Sequence, residues 1–556
     1  MQTSETRRIP ILWGALIGLL ATVPLAAIFY AAKQIIYTPE PAVDFFDRLS
    51  RILPGGLITF GIDSMVAIFS KLPNVPTDVA SKAAERSLGI GLFLFGGLVF
   101  GALIAFILSR TRRSIAAAYV GAGVALIPLL LTLIVENFNS GNANGALVAG
   151  SWLLLAYGVW GTIVGSTLER FAAPANASSV TASAPVAVSG VSGVPVPVIA
   201  SRTAVASPAR RNFLIQFGGS AAVLTLLSWG AGRLLGQSNT PPGQPVANLP
   251  TATPMPPGQA GGFVAAPGTR LEVTPNNQFY RVDINTDPSR IDPQTYKLTV
   301  GGLVDKPLTF SYDELRKLPA AEQDATLECI SNPVGGGLIS STHWTGVKLA
   351  DVLKSAGVQS GVTEIRFLSA DGYNESIPLA SAMDERTLLA YATNGEALAP
   401  EHGYPLRLYT PDRYGMKNPK WITSIEAINS EEVGYWRARG WDRDAFVKST
   451  SVIDTIDVND AKDGIVPVGG IAFAGARQIS KVEVSVDSGD WQAVQLKDPI
   501  SPLTWRFWRF DWKAPKGFHT LVVRTTDGKG APQIQEEAPL HPTGASGYVS
   551  KTVTIM

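Results

Sequence analysis

With 556 residues, 46% of them apolar and 16% charged, the chain is too apolar for one water-soluble domain and too charged to lie wholly in a membrane. A formal net charge of +1 excludes a global electrostatic footprint for nucleic acid or an acidic partner. The single cysteine, Cys329, excludes an intramolecular disulfide, and the four histidines (His343, His402, His519 and His541) all lie in the second half, which excludes paired-histidine haem in the first.

In chain order, residues 11–30, 88–108, 114–135 and 146–166 are uncharged runs about as long as a bilayer core requires. Arg7 and Arg8, then Arg110, Arg112 and Arg113, mark two cytoplasmic segments, whereas 136–145 has no Lys or Arg and faces outward. An inside N-terminus and an inside loop at 110–113 require an even number of crossings between them. The stretch 52–70, with Asp63, a proline and paired glycines, is therefore expected to be interfacial or re-entrant, leaving Lys71, Lys82 and Arg86 outside. Residues 1–170 thus read as a transmembrane region of four spans plus one interfacial segment.

Residues 171–208 are rich in Ala, Ser, Val and Pro, the composition of a linker. Across 209–236, Arg210-Arg211-Asn-Phe213-Leu214 precedes an apolar run to Gly232, which reads as a twin-arginine export signal followed by a fifth span. Residues 237–269 form a second linker, rich in Pro and Gly.

Residues 270–445 form a first soluble domain. Tyr296–Val304 alternates and ends at a glycine turn, predicting a strand, and Ser311 with Glu314 has the capping-box spacing of a helix start. Cys329 ends an apolar, strand-like run and precedes Asn332-Pro333 and Gly335-Gly336-Gly337. A lone cysteine is most often a small buried hydrophobe, but one at a strand-to-loop junction is also placed to be a soft metal ligand. Residues 446–556 form a second domain. There Lys481–Val486 alternates, a turn follows at 487–490, and Trp491 begins a return run; with 505–512 and 521–525 this predicts a small β-sandwich of immunoglobulin-like topology.

The stretch from Cys329 to Trp344-Thr-Gly346-Val-Lys-Leu349, then Leu388-Leu-Ala-Tyr391-Ala-Thr-Asn394-Gly395 and Glu401-His402-Gly403-Tyr-Pro405-Leu-Arg407, resembles in type and order the sulfite oxidase family of molybdopterin-dependent oxidoreductases, in a membrane-anchored bacterial form. The resemblance covers residues 270–556. It implies a multi-domain fold: an all-α transmembrane region, an α+β molybdopterin domain of sulfite oxidase type, and an all-β immunoglobulin-like sandwich that serves dimerisation in that family. It also implies that the Cys329 thiolate binds molybdenum beside the pterin dithiolene, that Arg281 and Tyr391 hold substrate, and that Mo-molybdopterin is contacted by Asn277, Tyr280, Arg281, Ser369, His402, Arg407, Gly415, Met416, Lys417 and Lys420.

The activity so implied is oxygen-atom transfer to or from a small substrate, the metal cycling between Mo(VI) and Mo(IV), with an external electron donor or acceptor. An enzyme loaded with cofactor before export suits the twin-arginine route, which places the catalytic domain on the extracytoplasmic side of the cell membrane. A different class is a metal-free binding or scaffold protein that retains the fold; the thiol, the glycine turn and the basic residues argue against it. One departure stands out. Sulfite oxidases carry arginines shortly after the metal-binding cysteine, whereas here no basic residue occurs between Cys329 and Lys348 except His343, so a neutral or singly charged substrate such as a sulfoxide is expected over sulfite.

Overall fold

A computed structural model describes residues 9–69, 76–111, 115–138, 146–171, 208–238 and 262–556. They divide into two compact units, the first drawn from Met1–Arg48, Ser87–Phe138 and Asn144–Thr240, the second from Leu49–Arg86, Asn139–Ala143 and Pro241–Met556. Most of both linkers, at 172–207 and 239–261, lies outside the described residues.

Helices α1 (Ile11–Ile36), α2 (Pro41–Ile52), α3 (Gly55–Phe69), α4 (Thr77–Arg110), α5 (Ala117–Phe138), α6 (Ala146–Phe171) and α7 (Pro208–Ser238) follow one another. Among the described residues, 4 helices are long and apolar enough to cross a membrane: Ile11–Ile36, Thr77–Arg110, Ala117–Val135 and Leu147–Arg170. They contain the uncharged runs 11–30 and 88–108 and cover most of 114–135 and 146–166. Helix α7, which carries the expected fifth span and begins with the paired arginines, is not one of these four, although its residues 213–232 are uncharged. It nevertheless packs along α1. Helices α1 and α4 meet backbone to backbone, since a Cβ on Gly18 would stand 2.3 Å from the Gly97 carbonyl oxygen.

Helix α3, on the stretch expected to be interfacial, has 15 residues, too few to span a bilayer. It belongs to the second unit, where Ile62 and Val66, one helical turn apart, join the apolar cluster that holds Tyr414, Met416 and Trp441.

The second unit continues with β1 (Lys297–Gly302), β2 (Leu308–Ser311), α8 (Tyr312–Lys317), β3 (Ala321–Glu328), β4 (Ile339–Lys348), α9 (Leu349–Ala356), β5 (Glu364–Ser369), β6 (Asn374–Pro378), α10 (Leu379–Ala382), β7 (Leu388–Thr393), β8 (Glu396–Ala397), β9 (Arg407–Tyr409) and β10 (Ile422–Ile428). The expected capping box is present at the start of α8, with Ser311 and Glu314 exchanging both bonds. One sheet runs β2-β1-β10-β5-β6, its β1–β10 pair parallel; the other runs β3-β4-β7-β8, with β9 also on β7. Helices α8 and α9 and both sheets enclose a core of Leu298, Leu315, Leu353, Phe367, Leu389 and Ile425. The opposite face of β3, β4 and β7 forms a second cluster, with Leu327, Cys329, Trp344 and Ala390 against Phe279 and Tyr280.

Strands β11 (Thr450–Ile456), β12 (Ile465–Phe473), β13 (Ile479–Val486), β14 (Gln492–Ala493), β15 (Gln495–Leu496), β16 (Arg506–Lys513), β17 (Gly517–Asp527) and β18 (Val549–Ile555) complete the chain. They form two four-stranded antiparallel sheets, β11-β12-β16-β15 and β14-β13-β17-β18, around Val468, Val484, Trp508 and Val523. The stretches 481–486, 505–512 and 521–525 fall on β13, β16 and β17, and the burial of β17 alternates along the strand.

Candidate active site

Cys329 is the first residue after β3, and its N–H donates to the Leu338 carbonyl at 2.9 Å, closing the loop between β3 and β4. Within that loop the Asn332 side chain donates to Glu328 Oε1 at 2.9 Å and accepts from the Leu338 N–H at 2.9 Å. A Cβ on Gly336 would stand 2.5 Å from Asn332 Oδ1, so the glycine run is what lets the turn close. The thiol is 6% exposed and lies 3.1 Å from Ser331 Oγ. Burial pushes its pKa up, and the Ser331 bond opposes that only in part. The protein alone therefore keeps this sulfur protonated; a bound cation would reverse the balance.

Two phenols and a glycine turn surround the thiol. A Cβ on Gly415 would stand 3.0 Å from Tyr280 Oη and 3.9 Å from Cys329 Cα, so Gly415 keeps this spot open. Tyr373 Oη donates to the Met416 carbonyl at 2.6 Å. Burial raises both phenols, Tyr280 and Tyr373, well above the usual range, and a thiolate charge at Cys329 would raise them further.

Beside the thiol lies a basic cluster on an aromatic floor. Phe279 meets Trp344 and His402 edge to face, and the Arg407 guanidinium sits 5.0 Å over the Trp344 ring. Arg407 donates to the His402 carbonyl at 3.1 Å, while its Nε is buried without a hydrogen-bond partner. Burial lowers the pKa of Arg407 to about 10. Burial, with Lys420 and Arg407 adding to it, lowers that of His402 to about 3, so the imidazole is neutral and donates its Nε2–H to the Asn276 carbonyl, 3.2 Å away. Lys420 donates to Asp283 at 3.0 Å and to the Glu401 carbonyl at 2.9 Å; burial outweighs Asp283 and brings its pKa to about 8. Burial opposes ionisation of Asp283, yet Lys420, Lys82 and Arg281 together hold its pKa well below the usual range.

Of the residues singled out from the sequence, Cys329, Tyr280 and Gly415 meet at the thiol, Met416 receives the Tyr373 phenol at its carbonyl, and His402, Arg407, Lys420 and Arg281 share the basic cluster. Arg281 does not present a free guanidinium: it donates to Asp283 at 2.9 Å and to the Thr286 carbonyl at 3.0 Å. Lys417 turns to a different carboxylate, Glu375, at 2.8 Å. Asn277 is exposed, and its neighbour Asn276 makes the bond to Asn394 instead. Ser369 Oγ is buried without a hydrogen-bond partner. Tyr391 is not brought to the thiol, because Leu388 and Ala390 of β7 face the Cys329 cluster, whereas Leu389 and Tyr391 face the opposite core. Tyr373, whose phenol lies within electrostatic reach of the thiol, was missed; the Asp371-Gly372 turn before it is the signal that could have drawn attention to it.

These residues fit a molybdopterin. One buried sulfur can supply the protein's metal ligand, and the buried Arg407 Nε and Ser369 Oγ can bond to a polar ligand that carries a phosphate. Residues 285–436 match the oxidoreductase molybdopterin binding domain. The chain is 31% identical over 304 residues to the mitochondrial sulfite oxidase of Macaca fascicularis, covering 46% of this chain and 56% of that protein. It thus spans about half the length of such curated relatives. It is 33% identical over 150 residues to the uncharacterized oxidoreductase YuiH of Bacillus subtilis (strain 168), covering 27% of this chain and 74% of that protein. The sulfane dehydrogenase SoxCD of Paracoccus pantotrophus superposes with a TM-score of 0.48 at 22% identity, over 53% of this chain and 87% of that one. A match of this identity over most of YuiH, with a domain match that contains the cysteine loop and His402, Arg407 and Lys420, makes the chain a member of the sulfite oxidase family of molybdopterin-binding oxidoreductases.

Proposed function

We propose that the protein is a membrane-anchored molybdenum oxidoreductase that transfers an oxygen atom to or from a small, weakly charged substrate outside the cytoplasm. The observation that carries this reading is the pairing of one buried thiol with a buried cation, Arg407, whose Nε has no protein partner. A metal-free scaffold would leave that desolvation uncompensated. When bound, the cofactor supplies the two-electron oxygen-transfer chemistry. Cys329 would hold its metal, Arg407, His402, Lys420 and Ser369 would hold the pterin and its phosphate, and the Tyr280 and Tyr373 phenols, both kept protonated, would orient substrate.

The substrate class follows from where the guanidinium groups go. Arg281 is committed to Asp283, Arg437 to Glu431 and the Glu432 carbonyl, and Arg439 to the Tyr435 and Arg51 carbonyls. A compact dianion would meet few uncommitted arginines, and each missing charge-assisted hydrogen bond costs about 1.5 to 3 kcal/mol, roughly one to two decades of affinity. Steady-state assays with sulfite and with a panel of sulfoxides test this. Turnover of sulfoxides with a low-potential dye is expected; a micromolar KM and fast turnover for sulfite would contradict it.

Sidedness is supported by counting crossings. Asp78, Lys82 and Arg86 bond to residues 281–287, so these two stretches share one side. Between them lie the apolar parts of α4, α5 and α6, an odd number of candidate spans, so the chain needs α7 as a further crossing. With the arginines at 110–113 inside, the catalytic unit is outside. The immunoglobulin-like character of the C-terminal sandwich and its use for dimerisation belong to the same proposal.

A further inference from the structure

The segment that carries Arg281 is held by residues some two hundred positions earlier. Asp78, Lys82 and Arg86 stand at i, i+4 and i+8, one stripe along the first turns of α4. Asp78 Oδ2 accepts the Arg281 N–H at 2.7 Å. Lys82 Nζ donates to the carbonyls of Asp283 at 2.9 Å and Asn285 at 2.8 Å, lies 3.6 Å from the Asp283 carboxylate, and is itself paired with Glu85 at 2.9 Å. Arg86 bonds Asp287 at 2.8 Å. From the end of α2, Arg51 donates to Asn285 Oδ1 at 2.5 Å; Asn285 in turn donates to Asp371, whose other oxygen accepts the Tyr373 N–H.

We propose that Asp78, Lys82 and Arg86 form a clamp that positions the Arg281–Asp287 segment and sets the charge of the basic cluster. These residues are positioning residues: none needs to touch cofactor or substrate. The Asp283 carboxylate is shared by Arg281, Lys420 and Lys82, so Lys82 takes up negative charge that would otherwise neutralise the other two. The cluster thereby keeps a net positive charge for a bound anion. Because α4 continues directly into an apolar stretch long enough to span a membrane, the region before residue 87 is part of the catalytic unit rather than only an anchor. The inference rests on the molybdopterin reading for the identity of the anion, but the clamp itself does not.

The test uses the full chain in detergent, with Lys82→Met, Lys82→Arg and Asp78→Asn. Hydrogen exchange of peptides covering 279–288 reads the clamp. Exchange at Arg281 should rise about tenfold or more in Asp78→Asn and across 281–287 in Lys82→Met, with β3 and β4 unchanged. The rate of pterin release from purified protein reads its service to the cofactor. Lys82→Met should lose pterin about 10- to 100-fold faster, the range seen when outer-shell partners are removed, and Lys82→Arg should restore retention. Unchanged exchange in both Asp78→Asn and Lys82→Met overturns the clamp, and wild-type pterin retention in Lys82→Met overturns its role in charge. A wild-type protein that holds no pterin rejects the molybdopterin reading, and exchange then judges the clamp alone.

Discussion

Tyr373 donates its phenol to the Met416 carbonyl at 2.6 Å, tying the turn after β5 to the glycine turn at 415–417. The turn at 369–373 and the glycine turn beside Cys329 are thus fixed to each other rather than each to solvent. Tyr373→Phe leaves a buried carbonyl without its donor, which costs about 1 to 3 kcal/mol. The purified variant should unfold at a lower temperature and turn over more slowly. An unchanged unfolding midpoint would show that this bond does not hold the site.

His402 links the cluster to pH. Its pKa falls to about 3 in the folded protein through burial and the neighbouring cations, against about 6.5 in an unfolded chain. Between those values the unfolded chain binds a proton that the folded one refuses, so stability falls as pH drops from about 6.5 toward 3, by up to about 1.4 kcal/mol per unit for this group. His402→Gln removes that contribution. The fall in unfolding midpoint between pH 7 and pH 5 should be smaller in the variant, and an equal fall would contradict the assignment of a buried neutral imidazole.

The fold was legible where one local pattern decided it. Ser311 and Glu314 announced the start of α8, and alternation announced β1, β13, β16 and β17. The Cys329 loop was legible because its glycines have no other use than a tight turn. Tyr391 was misplaced because a motif does not say which face of a strand a residue takes, and on β7 the odd positions face away from the thiol. The clamp could not be read at all: Lys82 and Asp283 lie far apart in sequence, and each by itself is an ordinary surface charge. Helix α7 sits between these cases, since its arginine pair is plain in the sequence while the uncharged run after it, 213–232, is interrupted by Gln216, Ser220, Thr225 and Ser228.

Export gives a prediction that separates topology from chemistry. Replacing Arg210 and Arg211 with lysine keeps the charge but removes the paired guanidinium signal. In spheroplasts, protease should cleave the catalytic unit of the wild type and spare that of the double variant, with the earlier spans still inserted. Equal cleavage of both would rule out export through that motif.

The central claim is that Cys329 is the one protein sulfur on a molybdenum held by a pterin, and metal and pterin analysis of the full chain tests it most directly. Purified from a host that makes the cofactor, the wild type should carry about one molybdenum and one pterin per chain. Cys329→Ser should keep the fold, measured by an unchanged circular dichroism spectrum, and lose turnover together with the sulfur-to-metal charge-transfer absorption. Wild-type protein without molybdenum, or a Cys329→Ser variant with undiminished turnover, would contradict the account.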